Sequence, residues 1–392
     1  MPVISLKVNR RIKDILGSST LAITARAKEL QAQGKDVVNF AAGEPDFDTP
    51  DSIKQAAIKA INTGVTKYTP STGTNELKNA VIAKFQKDND LIYKPSQIAV
   101  SCGAKHSLFN LIQVLTDEDD EVLLPQPYWV SYPEMIKLSG ARTIFIPTTF
   151  QDNFKINARQ LEKAITPRSK VLILNSPSNP TGMVYTRKEL EDIAAVCVKN
   201  NLFVISDEIY EKLIYDNAAY TSIASLGKDI YDLTFTVNGV SKAYSMTGWR
   251  IGYCGGHPDI MEYVKRFQDH TTSNPSSISQ AAALQALTES DETVSKMCQE
   301  FKKRKEIITR AFDNVKQIRY INPQGAFYVF CDFSKLGNTE TIAKRILDEV
   351  NVAVIPGDSF GAPGYLRLSF STSVERIQEG TKRIIDWINK NS

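Results

Sequence analysis

The sequence predicts a mixed α/β protein in which a large, mostly parallel sheet is accompanied by a smaller α+β domain. Short apolar runs rich in β-branched residues alternate with stretches of helical period along most of the chain, and this alternation is typical of a parallel sheet covered on both faces. Towards the C-terminus the strands are separated by fewer helices, as in α+β domains. With 392 residues, the chain has room for two to three domains of about 150 residues each.

The strands of the large sheet are predicted from short apolar runs between polar or helical stretches. These runs cover residues 98–100, 121–124, 143–146, 171–174, 202–205, 233–237 and 251–254. Helices are predicted over 75–87 and 188–199, because apolar residues recur there every three or four positions.

A different pattern follows a long predicted helix over 293–312. Three more strands are expected, at 326–333, 352–355 and 365–370, before a final helix over 374–387. We therefore predict a large domain over 48–290 and a small domain made of 1–47 together with 291–392. The turn-rich segment GEPD at 43–46 is expected to act as a hinge between them.

The composition argues against several classes of protein. The chain has 47 Lys and Arg against 44 Asp and Glu, a net charge of +3, which is far from the concentrated positive charge of a dedicated nucleic-acid binder. No run approaches the roughly 18 to 20 apolar residues of a membrane span, and no apolar signal core follows the N-terminus. Five cysteines without metal-ligand spacing favour neither a disulfide framework nor a metal site. We expect a cytoplasmic globular protein without nucleic-acid, membrane or metal partners.

Chemically distinctive segments follow directly after four of the predicted strands. They are residues 102–105 (CGAK), 175–182 (NSPSNPTG), 207–210 (DEIY) and 238–242 (NGVSK), with GWR shortly after the last at 248–250. Ligands of open α/β sheets bind at the carboxyl ends of the strands. The glycine turn at Gly103 also leads into a predicted helix, whose first backbone N–H groups suit an anion such as phosphate.

Each of these segments has an ordinary interpretation when it is taken alone. An NPTG run is typically just a turn, and a single lysine is typically solvated. The acidic pair at 207–208 after an apolar run also fits a Walker B element, but the chain has no GxxxxGK[ST] loop and no GxGxxG after a strand, which argues against nucleotide hydrolysis and the simplest dinucleotide site. Together the segments indicate an electrophilic pyridine cofactor with a phosphate tail, since a carboxylate keeps the ring nitrogen protonated and a lysine amine forms the Schiff base.

Longer motifs occur in order along essentially the whole chain. They are residues 39–47 (NFAAGEPDF), 67–70 (KYTP), 127–132 (PYWVSY), 175–182, 206–210 (SDEIY), 241–252 (SKAYSMTGWRIG) and 366–369 (LRLS). In these motifs the chain resembles the fold-type I pyridoxal-phosphate aminotransferases, specifically the class I aspartate aminotransferase group in its bacterial and archaeal subgroup. The resemblance implies a three-layer fold of the pyridoxal-phosphate transferases and pyridoxal 5'-phosphate as the cofactor.

The resemblance implies a role for each matching residue around the cofactor ring. Lys242 would hold the cofactor covalently and move a proton between the substrate Cα and the cofactor. Asp207 would pair with the ring nitrogen, and such pairing keeps that nitrogen protonated. Tyr210 and Asn179 would donate hydrogen bonds to the phenolic oxygen, and Trp129 would stack on the ring.

The resemblance also implies a phosphate site shared between two subunits. The residues expected to surround the phosphate are Gly103, Ala104, Lys105 through its backbone, Ser241 and Arg250, with Tyr68 from a second subunit. This last contact implies an obligate homodimer.

The substrate-binding residues follow from the resemblance as well. Arg367 matches the arginine that binds the substrate α-carboxylate through a bidentate fork, a geometry that lysine cannot reproduce, and Gly43 lies on the hinge loop that approaches the substrate. Lys105 matches the lysine that binds the distal carboxylate, and Ser19 and Thr20 lie in the segment that closes over it. Trp129 and Asn179 are expected to contact the substrate too.

A dicarboxylic substrate is therefore expected, with the amino group passing from L-aspartate to 2-oxoglutarate. Members that also transaminate prephenate tend to carry a lysine where an ungapped alignment places Leu16, which weakens that alternative, although neighbouring Lys13 could substitute. An aromatic or broad-specificity aminotransferase stays open. A more distant alternative is a non-catalytic regulator that binds the cofactor, since a fold does not determine a function.

Overall fold

The structure is a computed structural model that describes residues 8–216 and 218–391. Its strands, in chain order, are β1 (Val38–Asn39), β2 (Ile98–Ser101), β3 (Glu121–Gln126), β4 (Arg142–Pro147), β5 (Ser169–Asn175), β6 (Phe203–Asp207), β7 (Thr234–Gly239), β8 (Gly252–Gly255), β9 (Arg319–Tyr320), β10 (Tyr328–Asp332), β11 (Val352–Ala353), β12 (Ile355–Pro356) and β13 (Tyr365–Ser369).

The α-helices lie between these strands and at both ends of the chain. They are α1 (Arg10–Lys13), α2 (Ser19–Ala32), α3 (Asp51–Asn62), α4 (Asn75–Asn89), α5 (Ala104–Leu115), α6 (Ser131–Ser139), α7 (Ala158–Ala164), α8 (Arg187–Lys199), α9 (Lys228–Leu233), α10 (Pro258–Asp269), α11 (Ser277–Thr288), α12 (Glu292–Phe312), α13 (Thr339–Val350) and α14 (Val374–Asn391). Short 3₁₀ helices occur at Pro95–Gln97, Ile223–Leu226, Thr247–Trp249, Ser334–Leu336 and Gly357–Phe360.

The large sheet has seven strands in the order β2-β8-β7-β6-β5-β3-β4. The pairs from β7 to β4 are parallel, whereas β8 is antiparallel to both β2 and β7. The prediction of a mostly parallel sheet is therefore confirmed, and the reversed direction of β8 was not predicted. Because β2, β5, β6 and β7 all run the same way, their carboxyl ends share one edge of the sheet, and β8 begins at that same edge.

Helices cover both faces of the large sheet, so the fold has three layers. Along β5 the side chains alternate: Val171 and Ile173 belong to a buried cluster with residues of α5, α6 and α10, whereas Leu172 and Leu174 belong to a second cluster with α7 and α8. This alternation follows from the two-residue period of a strand. Burial of each such side chain stabilises the folded state by roughly 1.5–3 kcal/mol. This packing holds the strands against the surrounding helices.

Two smaller sheets use strands from both ends of the chain. One is antiparallel, in the order β12-β13-β10-β9, and the other is the parallel pair of β1 with β11. The prediction of one strand over 352–355 is wrong, because the chain changes partner at the buried Val354: β11 pairs with β1 and β12 pairs with β13. An unbroken apolar run does not reveal such a change, since every residue in it is buried.

The domain boundaries remain a prediction. The large sheet uses strands between Ile98 and Gly255, and the two smaller sheets use strands at 38–39 and between Arg319 and Ser369. Within residues 8–216 and 218–391, no helix has the length and apolar character required to cross a membrane.

Candidate active site

A cavity of about 360 Å³ opens at the edge where the parallel strands end. Most of the residues predicted from the sequence line it: Thr20, Gly43, Ala104, Lys105, Trp129, Asn179, Asp207, Tyr210, Ser241, Lys242, Arg250 and Arg367. Gly103 lies immediately before the lining residue Ala104. Ser19 and Tyr68 are not among the lining residues.

Lys242 follows β7 and places its amine inside the cavity. Its Nζ donates to the Gly43 carbonyl at 2.6 Å, which joins the hinge loop to the end of β7. The pKa of Lys242 is lowered to about 8, mainly by burial and in smaller part by the charges of Arg250 and Arg367, while the carboxylates of Glu44 and Asp207 oppose the shift. An amine with such a pKa is still mainly protonated at physiological pH, but its neutral fraction, the form that acts as a nucleophile and a base, is much larger than that of an ordinary lysine.

Asp207 is the last residue of β6 and is 4% exposed. Its Oδ2 accepts a hydrogen bond from the Tyr132 hydroxyl at 2.7 Å, and its Oδ1 accepts one from the Ile209 backbone N–H at 3.3 Å. Burial raises the pKa of Asp207 to about 6, while the Tyr132 and Ile209 hydrogen bonds and the charge of Lys242 hold it down. The carboxyl is therefore mainly ionised at neutral pH and can stabilise a protonated partner in the cavity.

Tyr210 and Asn179 each keep a hydrogen-bond donor available to the cavity. The Tyr210 and Tyr328 hydroxyls lie 2.9 Å apart, so the Tyr210 oxygen can accept from Tyr328 and leave its own proton free. The Asn179 Oδ1 accepts from Arg367 at 3.0 Å, and no described acceptor meets its Nδ2. Both side chains can thus donate to an oxygen placed between them.

Arg367 is a buried cation on β13 without an acidic partner among the described residues. It is 2% exposed, and burial lowers its pKa. One Nη donates to Asn179 at 3.0 Å, the other donates to the Ala41 carbonyl at 2.8 Å, and Nε meets no acceptor in the part of the chain that the structure describes. The guanidinium carbon lies 4.4 Å from the centre of the Tyr328 ring. An unpaired buried charge costs several kcal/mol, so this arginine is poised to bind an anion.

The turn before α5 lets an anion come close to backbone N–H groups and to Arg250. Gly103 has φ +89°, a conformation that favours glycine, and a Cβ there would lie 2.3 Å from Arg250 Nη2 and force the guanidinium to shift. Among described residues, no acceptor meets the backbone N–H groups of Ala104 and Lys105, which begin the 12-residue helix α5. Arg250 donates to the Thr247 carbonyl at 2.8 Å and has no described carboxylate within ion-pair distance. Together these groups offer uncompensated donors to a phosphate.

Lys105 and Trp129 both line the cavity and contact each other. The Lys105 Nζ lies 4.8 Å from the centre of the Trp129 ring, a separation that suits a cation–π contact. Burial lowers the pKa of Lys105, and Arg250 lowers it further. Lys105 makes no ion pair with the described carboxylates, so it too is available to an anion.

Ser19 and Tyr68 have other surroundings in the single chain, whereas their predicted companion Thr20 reaches the cavity. Ser19 donates from Oγ to Ser359 Oγ at 2.7 Å, which joins the start of α2 to the segment before β13. Thr20 lines the cavity and its Oγ1 lies 3.0 Å from Ser18 Oγ. Tyr68 is 92% exposed and lies outside the cavity of its own chain.

Tyr132 and Tyr328 are site residues that the sequence analysis did not assign. Tyr132 ends the PYWVSY motif, but nothing in its spacing shows that α6 carries its hydroxyl to Asp207. Tyr328 begins β10 and comes from the smaller antiparallel sheet. Its only sequence signal is a tyrosine on a strand otherwise composed of apolar residues and a terminal aspartate. Within the described part of the chain, no group of His, Cys, Asp and Glu side chains could hold a metal ion.

The sequence and the fold of this chain are similar to those of proteins whose family is known. A sequence profile for the family described as "Aminotransferase class I and II" matches residues 35–384. The aspartate aminotransferase of Bacillus sp. (strain YM-2) is 49% identical over 95% of this chain and 97% of its own length. The aspartate/prephenate aminotransferase of Nitrosomonas europaea is 43% identical over 98% of this chain and 100% of its own. A solved structure of the Thermus thermophilus aspartate aminotransferase with maleate superimposes with a TM-score of 0.94 at 38% identity, covering 97% of this chain and 100% of that one.

Proposed function

The chain belongs to the class I and II aminotransferases, and from this premise we propose that it is an aspartate aminotransferase. In the proposed reaction the amino group of L-aspartate passes to 2-oxoglutarate, which yields oxaloacetate and L-glutamate in two half-reactions. The observation that carries the proposal is a pair of unpaired cations in one cavity, Arg367 and Lys105. A dicarboxylic substrate brings two carboxylates, one for each cation.

Enzymes of this family depend on pyridoxal 5'-phosphate, and the residues of the cavity fit that cofactor. The free N–H groups at the start of α5, together with Arg250 and Ser241, suit its phosphate, and the space above Gly103 would be filled by any Cβ. Asp207 suits its ring nitrogen, and the flat face of Trp129 suits the ring. When bound, the cofactor supplies an electron sink that stabilises the negative charge formed when the substrate Cα loses its proton.

We assign the covalent attachment of the cofactor and the proton transfer to Lys242. Its Nζ is held by the Gly43 carbonyl at 2.6 Å, and with a pKa of about 8 it can both take a proton from the substrate Cα and return it near neutral pH. The Gly43 contact also places this amine beside the loop that we propose approaches the substrate.

Asp207 is proposed to keep the ring nitrogen protonated. Above pH 6 the carboxylate is mainly ionised, and its two oxygens, which accept from the Tyr132 hydroxyl and the Ile209 N–H, keep further lone pairs for another donor. Tyr210 and Asn179 are proposed to donate to the phenolic oxygen, because each keeps one free donor in the described chain.

Arg367 is proposed to orient the substrate through its α-carboxylate. The guanidinium is already positioned by Asn179, the Ala41 carbonyl and the Tyr328 ring, so little rotamer entropy is lost on binding. The unpartnered Nε gains an acceptor when a carboxylate enters. A fixed α-carboxylate sets the Cα–H bond in one direction relative to Lys242, which is the positioning that a proton transfer needs.

Lys105 is proposed to bind the distal carboxylate, with Ser19 and Thr20 closing over it. Trp129 lies under the Lys105 amine, and a flat aromatic surface also suits an aromatic substrate. The name of the Nitrosomonas europaea relative keeps prephenate as the second candidate substrate. Leu16 stands where a lysine is expected in such enzymes, and its apolar side chain offers no charge to a prephenate carboxylate.

We further propose that the enzyme is a homodimer with two domains in each subunit. Tyr68 is 92% exposed, as a residue that completes the phosphate site of a second subunit would be in a single chain. The hinge loop at 43–46 is proposed to let residues 1–47 and 291–392 close over the large domain when Arg367 binds substrate. A cytoplasmic location remains a prediction.

Steady-state kinetics test the proposed reaction. With L-aspartate and 2-oxoglutarate as the varied substrates, a two-step transfer gives parallel double-reciprocal lines. Addition of L-aspartate alone converts the visible absorbance of the cofactor to that of its aminated form. No turnover with any dicarboxylic pair would exclude the proposed substrate, and a spectrum that never converts would favour a regulator that only binds the cofactor.

Replacement of Lys105 by alanine tests the substrate class. We expect kcat/KM for L-aspartate to fall by about 10- to 100-fold, because a hydrogen bond to a charged group contributes about 1.5–3 kcal/mol. The value for L-phenylalanine is expected to change much less. Lys188→Ala is the matched control, since Lys188 pairs with Asp192 on an exposed helix. Equal losses for both substrates would contradict the role of Lys105.

A further inference from the structure

Gln268 is a fully buried side chain on the last turn of α10. Its Nε2 donates to the carbonyls of Ser71 at 2.5 Å and Val100 at 2.8 Å. Its Oε1 accepts from the Ser101 hydroxyl at 2.7 Å and from Asn110 Nδ2 at 3.0 Å. All four hydrogen bonds of the amide are therefore made inside the protein, away from solvent.

The hydrogen-bond partners of Gln268 lie in two parts of the chain. One carries the turn at Gly103, which is proposed to bind the phosphate of the same subunit, and the other adjoins Tyr68, which is proposed to bind the phosphate of the second subunit. Ser101 ends β2 and Asn110 lies on α5, so one side of the amide holds the elements that carry the turn at Gly103. Ser71 lies three residues after Tyr68, whose side chain projects into solvent from its own chain. Nε2 therefore joins the two segments, because it donates to Val100 of β2 and to Ser71 of the segment that presents Tyr68.

Further hydrogen bonds anchor the Tyr68 segment to the same region. The Thr72 carbonyl accepts from the Val100 N–H at 3.0 Å. The buried Gln280 accepts from the Thr74 N–H at 2.9 Å and donates to Thr69 Oγ1 at 2.9 Å. Residues 69–74 are consequently held by hydrogen bonds along their length, and Tyr68 directly precedes this held segment.

We propose that Gln268 is a positioning residue that couples the two phosphate sites of the homodimer. In each subunit it ties the turn that binds that subunit's phosphate to the segment that presents Tyr68 to the partner's phosphate. This inference rests on the proposed function, including the dimer and the contact made by Tyr68 across it. Because the amide is buried, a displacement of either segment would leave polar groups unpaired, and such groups are expensive to bury. The two segments therefore keep one relative position.

The test replaces Gln268 by methionine, which has a similar length and no hydrogen-bonding amide. Gln97→Met is the matched control: Gln97 is also buried and its Nε2 donates to the Gly256 carbonyl at 3.0 Å, but its side chain has no hydrogen bond with residues 69–74. The rate of cofactor loss after dilution of the holoenzyme is followed by visible absorbance. We expect Tyr68→Phe to release the cofactor about tenfold faster, the effect of one lost hydrogen bond to a charged group, and Gln268→Met to accelerate release by up to the same factor, because it displaces Tyr68.

Combination of the two substitutions separates positioning from general support of the fold. The part of the Gln268 effect that acts through Tyr68 is absent in the Tyr68→Phe protein, so Gln268→Met should accelerate cofactor loss less there than in the wild type. Effects that multiply fully would show a merely structural role and overturn the inference. Hydrogen–deuterium exchange of the cofactor-free chain gives a second readout, with faster exchange expected over residues 66–74 in Gln268→Met and not in Gln97→Met. Should Gln268→Met fail to fold, Ser101→Ala removes one of the same hydrogen bonds and is expected to act in the same direction.

The proposed function and this inference fail in different ways. A monomeric wild-type protein in sedimentation, or a Tyr68→Phe protein that retains its cofactor normally, would overturn the contact across the dimer. A dimer in which Tyr68→Phe releases the cofactor and Gln268→Met does not would overturn the role of Gln268 alone.

Discussion

Replacement of Tyr132 by phenylalanine should change the pH dependence of stability in the cofactor-free chain. The substitution keeps the ring, which packs edge-on against Trp129 with centroids 5.3 Å apart, and removes only the hydroxyl that donates to Asp207 at 2.7 Å. Because both side chains are buried, no water replaces the lost donor at low cost. The pKa of Asp207, already raised by burial to about 6, should rise further.

The expected rise in the pKa of Asp207 follows from the free energy that one hydrogen bond to a charged group contributes. At about 1.5–3 kcal/mol, and with 1.36 kcal/mol for each pKa unit, the loss corresponds to roughly one to two units. Asp207 has a folded-state pKa above the ordinary aspartate value of 3.8, so the folded chain holds this proton where the unfolded chain has lost it. Stability therefore falls as the pH rises from about 4 to 6 in the wild type. In the variant the fall continues to about pH 7 or 8.

The assay is urea unfolding of the cofactor-free chain at pH 5 and at pH 8.5. The difference in unfolding free energy between wild type and Tyr132→Phe should be about 1.5–3 kcal/mol larger at pH 8.5, where Asp207 is ionised in the folded wild type. Tyr128→Phe is the matched control, because Tyr128 stacks on Phe145 and makes no hydrogen bond to Asp207. A difference that stays constant between the two pH values would refute the coupling of Tyr132 to the ionised carboxylate.

Three further predictions concern the other groups of the cavity. Arg367→Lys should lower kcat/KM for L-aspartate by about 100-fold, since an ammonium cannot reproduce the fork that binds a carboxylate; a loss under threefold in steady-state kinetics would contradict this. Gly103→Ala should weaken cofactor binding in equilibrium titration, because its Cβ would lie 2.3 Å from Arg250 Nη2, whereas Gly17→Ala, with nothing within 4 Å of the new Cβ, should bind normally. Reductive methylation of the cofactor-free chain, read by mass spectrometry, should show Lys242 reacting half-maximally near pH 8; a midpoint near that of an exposed lysine would argue against its neutral form at physiological pH.

The sequence was sufficient to predict the large sheet because the spacing of apolar residues within each short segment distinguishes a strand from a covering helix. The run at 171–174 predicts β5 to within two residues at its start and one at its end, and the helix over 188–199 is α8 with one more residue at its start. Local period carries no information on which strand pairs with which. For that reason the antiparallel direction of β8 and the change of partner at Val354 appear only in the folded chain.

Most of the predicted site could be placed because its residues follow strands that end at one edge. Asp207 ends β6, and Lys242 and the turn at Gly103 follow β7 and β2 within three residues, so their meeting follows from the topology. Tyr132 and Tyr328 could not be assigned in this way. Their hydroxyls reach Asp207 and Tyr210 from a helix and from a strand of a different sheet.

The sequence by itself determined the kind of chemistry, since a lysine, a buried acid and a glycine turn placed after strands specify which groups can meet a phosphorylated pyridine. Only the tertiary structure decided their charge states and their accessibility. Burial sets the pKa of Lys242 near 8 and that of Asp207 near 6, and it leaves Arg367 without an acidic partner among the described residues. These properties depend on how much water and which charges surround each group, and residues far apart in the chain supply that environment only after folding.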